Sequence, residues 1–111
     1  MRAISWFRAA RKAFDSFPAD VRQDILDALA IAAEGAKSGR AKPLHGLGSG
    51  VFEIALQRRG DAYRGVYAVQ VDRDVWVLHV FQKKSKSGIG TPKEEIDLVR
   101  ERLKRLKESL P

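Results

Sequence analysis

Six cations gather around one stretch of the chain, close to expected strands and turns: Arg58, Arg59, Arg64, Lys83, Lys84 and Lys86. Between Val75 and Gly90 there are three lysines, and His79 is the one other ionisable side chain. Such a grouping neutralises phosphates, so a polyanion is the expected partner. The chain of 111 residues carries a formal charge of +7, and the excess is uneven. Residues 41–90 hold eight basic against four acidic side chains, residues 1–40 seven against five, and residues 91–111 six against five. The lysines also fit the solvated exit of an edge strand, where lysine blocks edge-to-edge pairing. Arg64 is more telling, because it lies inside a β-rich run beside Tyr63, Val66 and Tyr67, where an arginine needs a reason to be. Alternation puts Arg64, Val66 and Ala68 on one face and Tyr63, Tyr67 and Val69 on the other.

Other chemistries fit less well. There is no cysteine, and His45 and His79 stand apart, so neither a disulfide framework nor a four-ligand zinc site is expected. Gly46-Leu47-Gly48-Ser49-Gly50 lacks the spacing of a phosphate-binding loop and leads into a strand instead of a helix. His79 lies between Leu78 and Val80, where a histidine is more often a satisfied structural residue than a base. Trp6 and Trp76 read as packing residues. Met1 to Phe7 does not resemble a secretory signal, and the longest apolar stretch, Ala28 to Ala33, is far too short to span a membrane. A cytoplasmic location is therefore expected.

The elements that must position the basic residues are readable from periodicity. A chain this long can bury roughly two-thirds of its unfolded surface, enough for a single domain over residues 1–111. Ala3 to Phe7 suggests a short strand, and Arg8 to Phe14 favours helix. After a turn at Asp15-Ser16-Phe17-Pro18, the apolar residues Val21, Ile25, Ala28, Leu29, Ala32 and Ala33 recur at helical spacing, which predicts a helix from Ala19 to Ala36. The two helices form a hairpin with Pro18 at its corner. Lys37 to Gly50 reads as a loop. Beyond it, Phe52, Ile54 and Leu56 alternate with Val51, Glu53, Ala55 and Gln57 to give a strand. Turns at Arg58–Asp61 and Asp72–Asp74 then predict two more strands, Ala62 to Val71 and Val75 to Gln82, in an antiparallel meander. Thr91-Pro92-Lys93-Glu94 reads as a helix start with Thr91 as N-cap, Pro92 at the first helical position and Glu94 closing a capping box. The helix that follows aligns Ile96, Val99, Leu103, Leu106 and Leu110 on an apolar face that must dock on something.

An ordered series of segments resembles a known family. Leu44-His45-Gly46-Leu47-Gly48-Ser49-Gly50-Val51-Phe52-Glu53, Tyr63-Arg64-Gly65-Val66-Tyr67, Leu78-His79-Val80-Phe81-Gln82-Lys83-Lys84 and Thr91-Pro92 are similar to the phage-derived, HigB-like branch of the RelE/ParE toxin superfamily. The resemblance runs from about Phe14 to the C-terminal helix. It implies an α+β fold in which an N-terminal helical hairpin packs on a twisted antiparallel sheet, with a C-terminal helix. It further implies the toxin of a type II toxin–antitoxin pair, a metal-independent endoribonuclease without cofactor that cuts mRNA on the ribosome. The implied partners are a cognate antitoxin of helix-turn-helix type, in a hetero-oligomer, and mRNA with the ribosome.

In that chemistry the RNA 2′-hydroxyl attacks the adjacent phosphate, leaving a cyclic phosphate and a free 5′-hydroxyl. A base must take the 2′-proton, cations must hold the developing charge, and an acid must protonate the leaving oxygen. Within the resemblance, Arg64 and Lys84 suit charge stabilisation, and Lys83 and Lys86 suit phosphate binding, with Arg58 and Arg59 as further RNA contacts. Tyr67 suits base stacking or proton transfer, and His79 is the nearby side chain that titrates near neutral pH. Superfamily members often carry an acid, histidine or tyrosine near the last strand; here only helical acids follow Lys86, so the acid and base stay unassigned. Two other readings are a ParE-like gyrase inhibitor on the same scaffold and a non-catalytic basic nucleic-acid-binding module. Grooves beside the N-terminal helices or beside the C-terminal helix are both open to an antitoxin segment.

Overall fold

A computed structural model describes residues 1–83 and 90–110. The elements run β1 (Ile4–Trp6), α1 (Arg8–Asp15), α2 (Ala19–Ala33), β2 (Ala41–Pro43), β3 (Val51–Arg58), β4 (Asp61–Ala68), β5 (Val75–Lys83) and α3 (Lys93–Ser109). They build an α+β domain whose five-stranded sheet has the order β1-β5-β4-β3-β2. The meander β3–β4–β5 is antiparallel, as the alternation predicts. Two short edge strands complete it: β2 pairs antiparallel with β3 inside the expected loop, and β1 pairs parallel with β5. β1 lies within the short strand expected at Ala3 to Phe7, whereas β2 falls in the segment read as loop, because three residues are too few to show a period. The parallel edge is held by the Arg2 guanidinium, which donates to the carbonyl oxygens of Val69, Asp72, Arg73 and Asp74.

The alternation along each strand sorts the core into two layers. The α1–α2 hairpin packs Phe14, Val21, Ile25 and Leu29 against Ile54, Leu56, Tyr63, Tyr67, Val75, Val77 and Val80 on one face of the sheet. On the other face α3 sets Val99, Leu103 and Leu106 over Val51, Val66, Ala68 and Leu78, with Leu47 of the glycine-rich loop. Among the described residues no helix is long and apolar enough to cross a membrane.

Two helix boundaries differ from the sequence expectation. α2 stops at Ala33, not Ala36, because Gly35 takes φ +91° while its N–H donates to Ala32 and that of Ala36 donates to Ile31. That is the Schellman arrangement, which satisfies the last carbonyls of the helix. α3 is not capped by Thr91. Pro92 occupies the N-cap position with ψ 149°, no side-chain cap is made, and the Thr91 hydroxyl instead donates to Glu53 Oε2 at 2.5 Å.

Candidate functional site

The β3–β4 turn sets the register of the site. Arg59 (φ +53°) and Gly60 (φ +82°) both lie in the left-handed region, giving a two-residue hairpin turn whose twist matches the strands. Arg58 then faces Asp61, Ala55 faces Arg64, and Glu53 faces Val66. A register shift in β5 beside Val66/Tyr67 pairs Val66 with His79 and Tyr67 with Val77, so Leu78 is the extra residue of a bulge. The consequence is that Leu78 and His79 both turn toward α3: Leu78 joins its core and His79 bonds to its first turn. Arg64 pairs with Phe81 and Ala62 with Lys83, so Glu53, Arg64, His79, Phe81 and Lys83 share the α3 face of the sheet, at the end nearer the first turn of α3.

Arg64 and Glu53 are the centre of this face. Arg64 Nε lies 4.0 Å from Glu53 Oε2, and the Arg64 side chain is 16% exposed. Arg64 Nη1 also donates to the Tyr63 carbonyl at 3.3 Å. Glu53 is only 3% exposed, and among the described residues its contacts with Arg64 and Thr91 fall on Oε2. A buried carboxylate needs such partners. Chemically, the pair offers a carboxylate that can accept a proton beside a guanidinium that can hold a phosphate oxygen.

His79 sits next to this pair with both ring nitrogens engaged. Nε2 is 2.6 Å from Glu95 Oε1, Nδ1 is 3.3 Å from an Arg102 guanidinium nitrogen, and the ring stacks on Phe81 at 4.9 Å between centroids. Arg102 can only donate, so Nδ1 accepts and Nε2–H donates to Glu95. Burial pushes the His79 pKa below its ordinary value, against the opposing pull of Glu95. Arg102 also donates to the Leu78 carbonyl at 2.8 Å. His79 therefore ties α3 to the sheet; the structural role weighed for it in the sequence is the one its contacts describe.

Several expected site residues lie elsewhere. Tyr67 is 1% exposed, on the hairpin side of the sheet, stacked on Phe52 at 5.5 Å, and burial raises its hydroxyl pKa. It cannot stack on a base. The expected RNA contacts Arg58 and Arg59 are committed to α2: Arg58 pairs with Asp24, and Arg59 grips Asp20 through two bonds of 2.8 and 3.0 Å. The hydrogen bonding from Arg59, opposed by desolvation, lowers the Asp20 pKa from 3.8 to about 2. Lys83 is buried on the α3 face at the end of β5. Lys84 and Lys86 lie outside the described residues.

Glu53 is the residue that sequence reading passes over, since a single acid in an alternating strand looks like an ordinary outward position. The signal is in the register: counting back from the Arg59-Gly60 turn places it diagonal to Arg64.

Comparison with known proteins agrees with the order of elements and their packing. A family model described as Phage derived protein Gp49-like matches residues 12–104. Among solved structures, the free state of a double arginine-to-alanine mutant of the E. coli toxin RelE is similar, with a TM-score of 0.61 and 21% identity over 94% of this chain and 96% of that one. No curated protein matches the sequence. The helical hairpin, the meander and the sheet-capping C-terminal helix thus belong to a shared fold, that of RelE, and by its sequence the chain belongs to the phage-derived Gp49-like family.

Proposed function

We propose that the protein is the toxin of a type II toxin–antitoxin pair, of HigB-like kind, and acts as a ribosome-dependent, metal-independent endoribonuclease on mRNA. The observation that carries this reading is the Glu53–Arg64 pair, a buried carboxylate 4.0 Å from a partly exposed guanidinium in a chain of net charge +7. Family membership and the RelE fold add support. In this reading Glu53 takes the 2′-proton, the 2′-oxygen bonds to phosphorus as the bond to the 5′-oxygen breaks, Arg64 stabilises the phosphate as negative charge builds, and water protonates the leaving 5′-oxygen. Lys84 and Lys86, which follow β5 in the sequence, hold flanking phosphates, and Lys84 adds to charge stabilisation, whereas Lys83 is buried. His79, through Glu95 and Arg102, fixes α3 and so the Thr91 hydroxyl that orients Glu53. The ribosome supplies the alignment of the messenger, and an antitoxin of helix-turn-helix type restrains the enzyme in the cytoplasm.

The test is cell-free translation of a defined mRNA with mapping of new 5′ ends, with a ribosome-free control and the Arg64→Ala, Glu53→Gln and Lys84→Ala variants. Cuts that need translating ribosomes and fade in the variants support the assignment. Intact RNA with normal protein synthesis overturns it and brings gyrase inhibition or simple nucleic-acid binding forward.

A further inference from the structure

The proposed site uses one end of the α3 face; the opposite end holds a separate groove. It has a volume of about 440 Å³ and lies between the glycine-rich loop and the C-terminal half of α3. Leu47 and Leu103 form its floor, and Arg100, Lys104 and Lys107 its rim, with Glu108 as the one acid. The loop wall carries no bulk. Gly46 and Gly48 have φ +89° and +87°, and a Cβ at either would meet nothing within 4 Å. Arg100 is partnered by Asp97 at 3.1 Å, whereas among the described residues neither Lys104 nor Lys107 has a carboxylate partner.

We propose that this groove is the docking site for an acidic segment of the neutralising partner protein, one apolar side chain seated on Leu47 and Leu103 between carboxylates that meet Lys104 and Lys107. The proposal rests on the toxin–antitoxin reading for the identity of the partner, and on charge complementarity and the apolar floor for its chemistry. A nucleic-acid backbone would use the cations but leave the leucine floor wet, so the combination selects a peptide. Lys104 is nine residues beyond Glu95, about 14 Å along the helix at roughly 1.5 Å per residue. A segment bound there leaves Arg64 uncovered and acts on the site through α3, the helix whose first turn holds His79.

The experiment is fluorescence anisotropy of the full chain with three probes. They are a labelled synthetic peptide with leucines between glutamates, the same peptide with each leucine replaced by serine, and a short RNA stem. The leucine peptide is expected to bind at least about tenfold more tightly than the serine peptide, a factor of ten being the ordinary unit of such comparisons. Lys104→Glu with Lys107→Glu weakens it about tenfold or more, and Glu108→Lys tightens it. Arg8→Glu with Lys12→Glu, the same charge change on exposed α1 positions, leaves it within about twofold. Equal binding of the leucine and serine peptides, tighter binding of the RNA stem that is lost in the Lys104/Lys107 variant, or equal loss in the α1 variant would each overturn the proposal. Translation arrest measured without peptide reports on the nuclease reading separately, so either can fail without the other.

Discussion

Glu53 and Arg64 are diagonal neighbours: each faces a small or apolar partner directly across the β3–β4 ladder, Val66 and Ala55 respectively, yet Glu53 Oε2 lies 4.0 Å from Arg64 Nε. Diagonal neighbours across a ladder are still within reach of long side chains. If the pair performs the cleavage, Glu53→Gln removes the base and keeps an oxygen for the Thr91 hydroxyl. Cleavage by ribosome-bound protein should fall by about 10²- to 10⁴-fold with the fold intact. Arg64→Ala should cost about 10²- to 10³-fold, and Arg64→Lys should recover only part of it, since an ammonium cannot form the planar fork. Single-turnover cleavage rates, with circular dichroism to establish folding, check all three.

Tyr67 gives the opposite result. Its ring is in the hairpin-side core against Phe52, so Tyr67→Phe should leave cleavage within about twofold, the aromatic volume being retained. Tyr67→Ala should lower stability by about 3–5 kcal/mol through the cavity it leaves. Urea denaturation separates this loss from any effect on chemistry.

Arg59 is a tether between the β3–β4 turn and α2. Its two bonds to Asp20 hold that carboxyl at about 2 instead of 3.8. A depressed carboxylate contributes stability that is present above the unfolded value and lost as pH falls through the folded one. Wild-type stability should therefore decline between about pH 4 and pH 2, and in Asp20→Asn this part of the decline should vanish. Arg59→Ala should also leave RNA cleavage unchanged. Urea midpoints across that pH range, with the translation assay, test both statements.

The major elements were legible because each buries one face and so carries a period. The 3.6-residue repeat of Val21, Ile25, Leu29 and Ala32 and the alternation of Phe52, Ile54 and Leu56 survive in the core as written. Alternation grouped Arg64 with Val66 and Ala68 but left open which face that was; strand pairing and the packing of α3 place it beside Glu53. What sequence could not provide was partnership at long range. Arg58 and Arg59 look like a phosphate-binding pair until α2 brings Asp20 and Asp24 to them, and Thr91 has the composition of an N-cap until Glu53, 38 residues away, takes its hydroxyl. The bulge at Leu78 likewise depends on strand pairing, and it alone turns His79 to α3 beside the residue that strict alternation would oppose to it.

That bulge also gives stability a dependence on pH just below neutrality, through His79. Burial lowers the His79 pKa from 6.5, with Arg102 adding to the depression and Glu95 opposing it. Below the unfolded value the unfolded chain binds a proton that the folded one still refuses, so stability falls as pH drops through 6.5 and the loss ends below the folded value. A proton at Nδ1 would face the Arg102 donor, and the contact that ties α3 to Leu78 and His79 would open. In His79→Gln, stability should become flat over this range. In Glu95→Gln, the opposing pull is gone, the folded His79 titrates lower still, and the fall in stability extends further into acid. NMR titration of the imidazole in wild type and Glu95→Gln reads the shift directly. A wild-type midpoint above 6.5, or a higher one in Glu95→Gln, would contradict the assignment of His79 as a buried neutral clamp on α3.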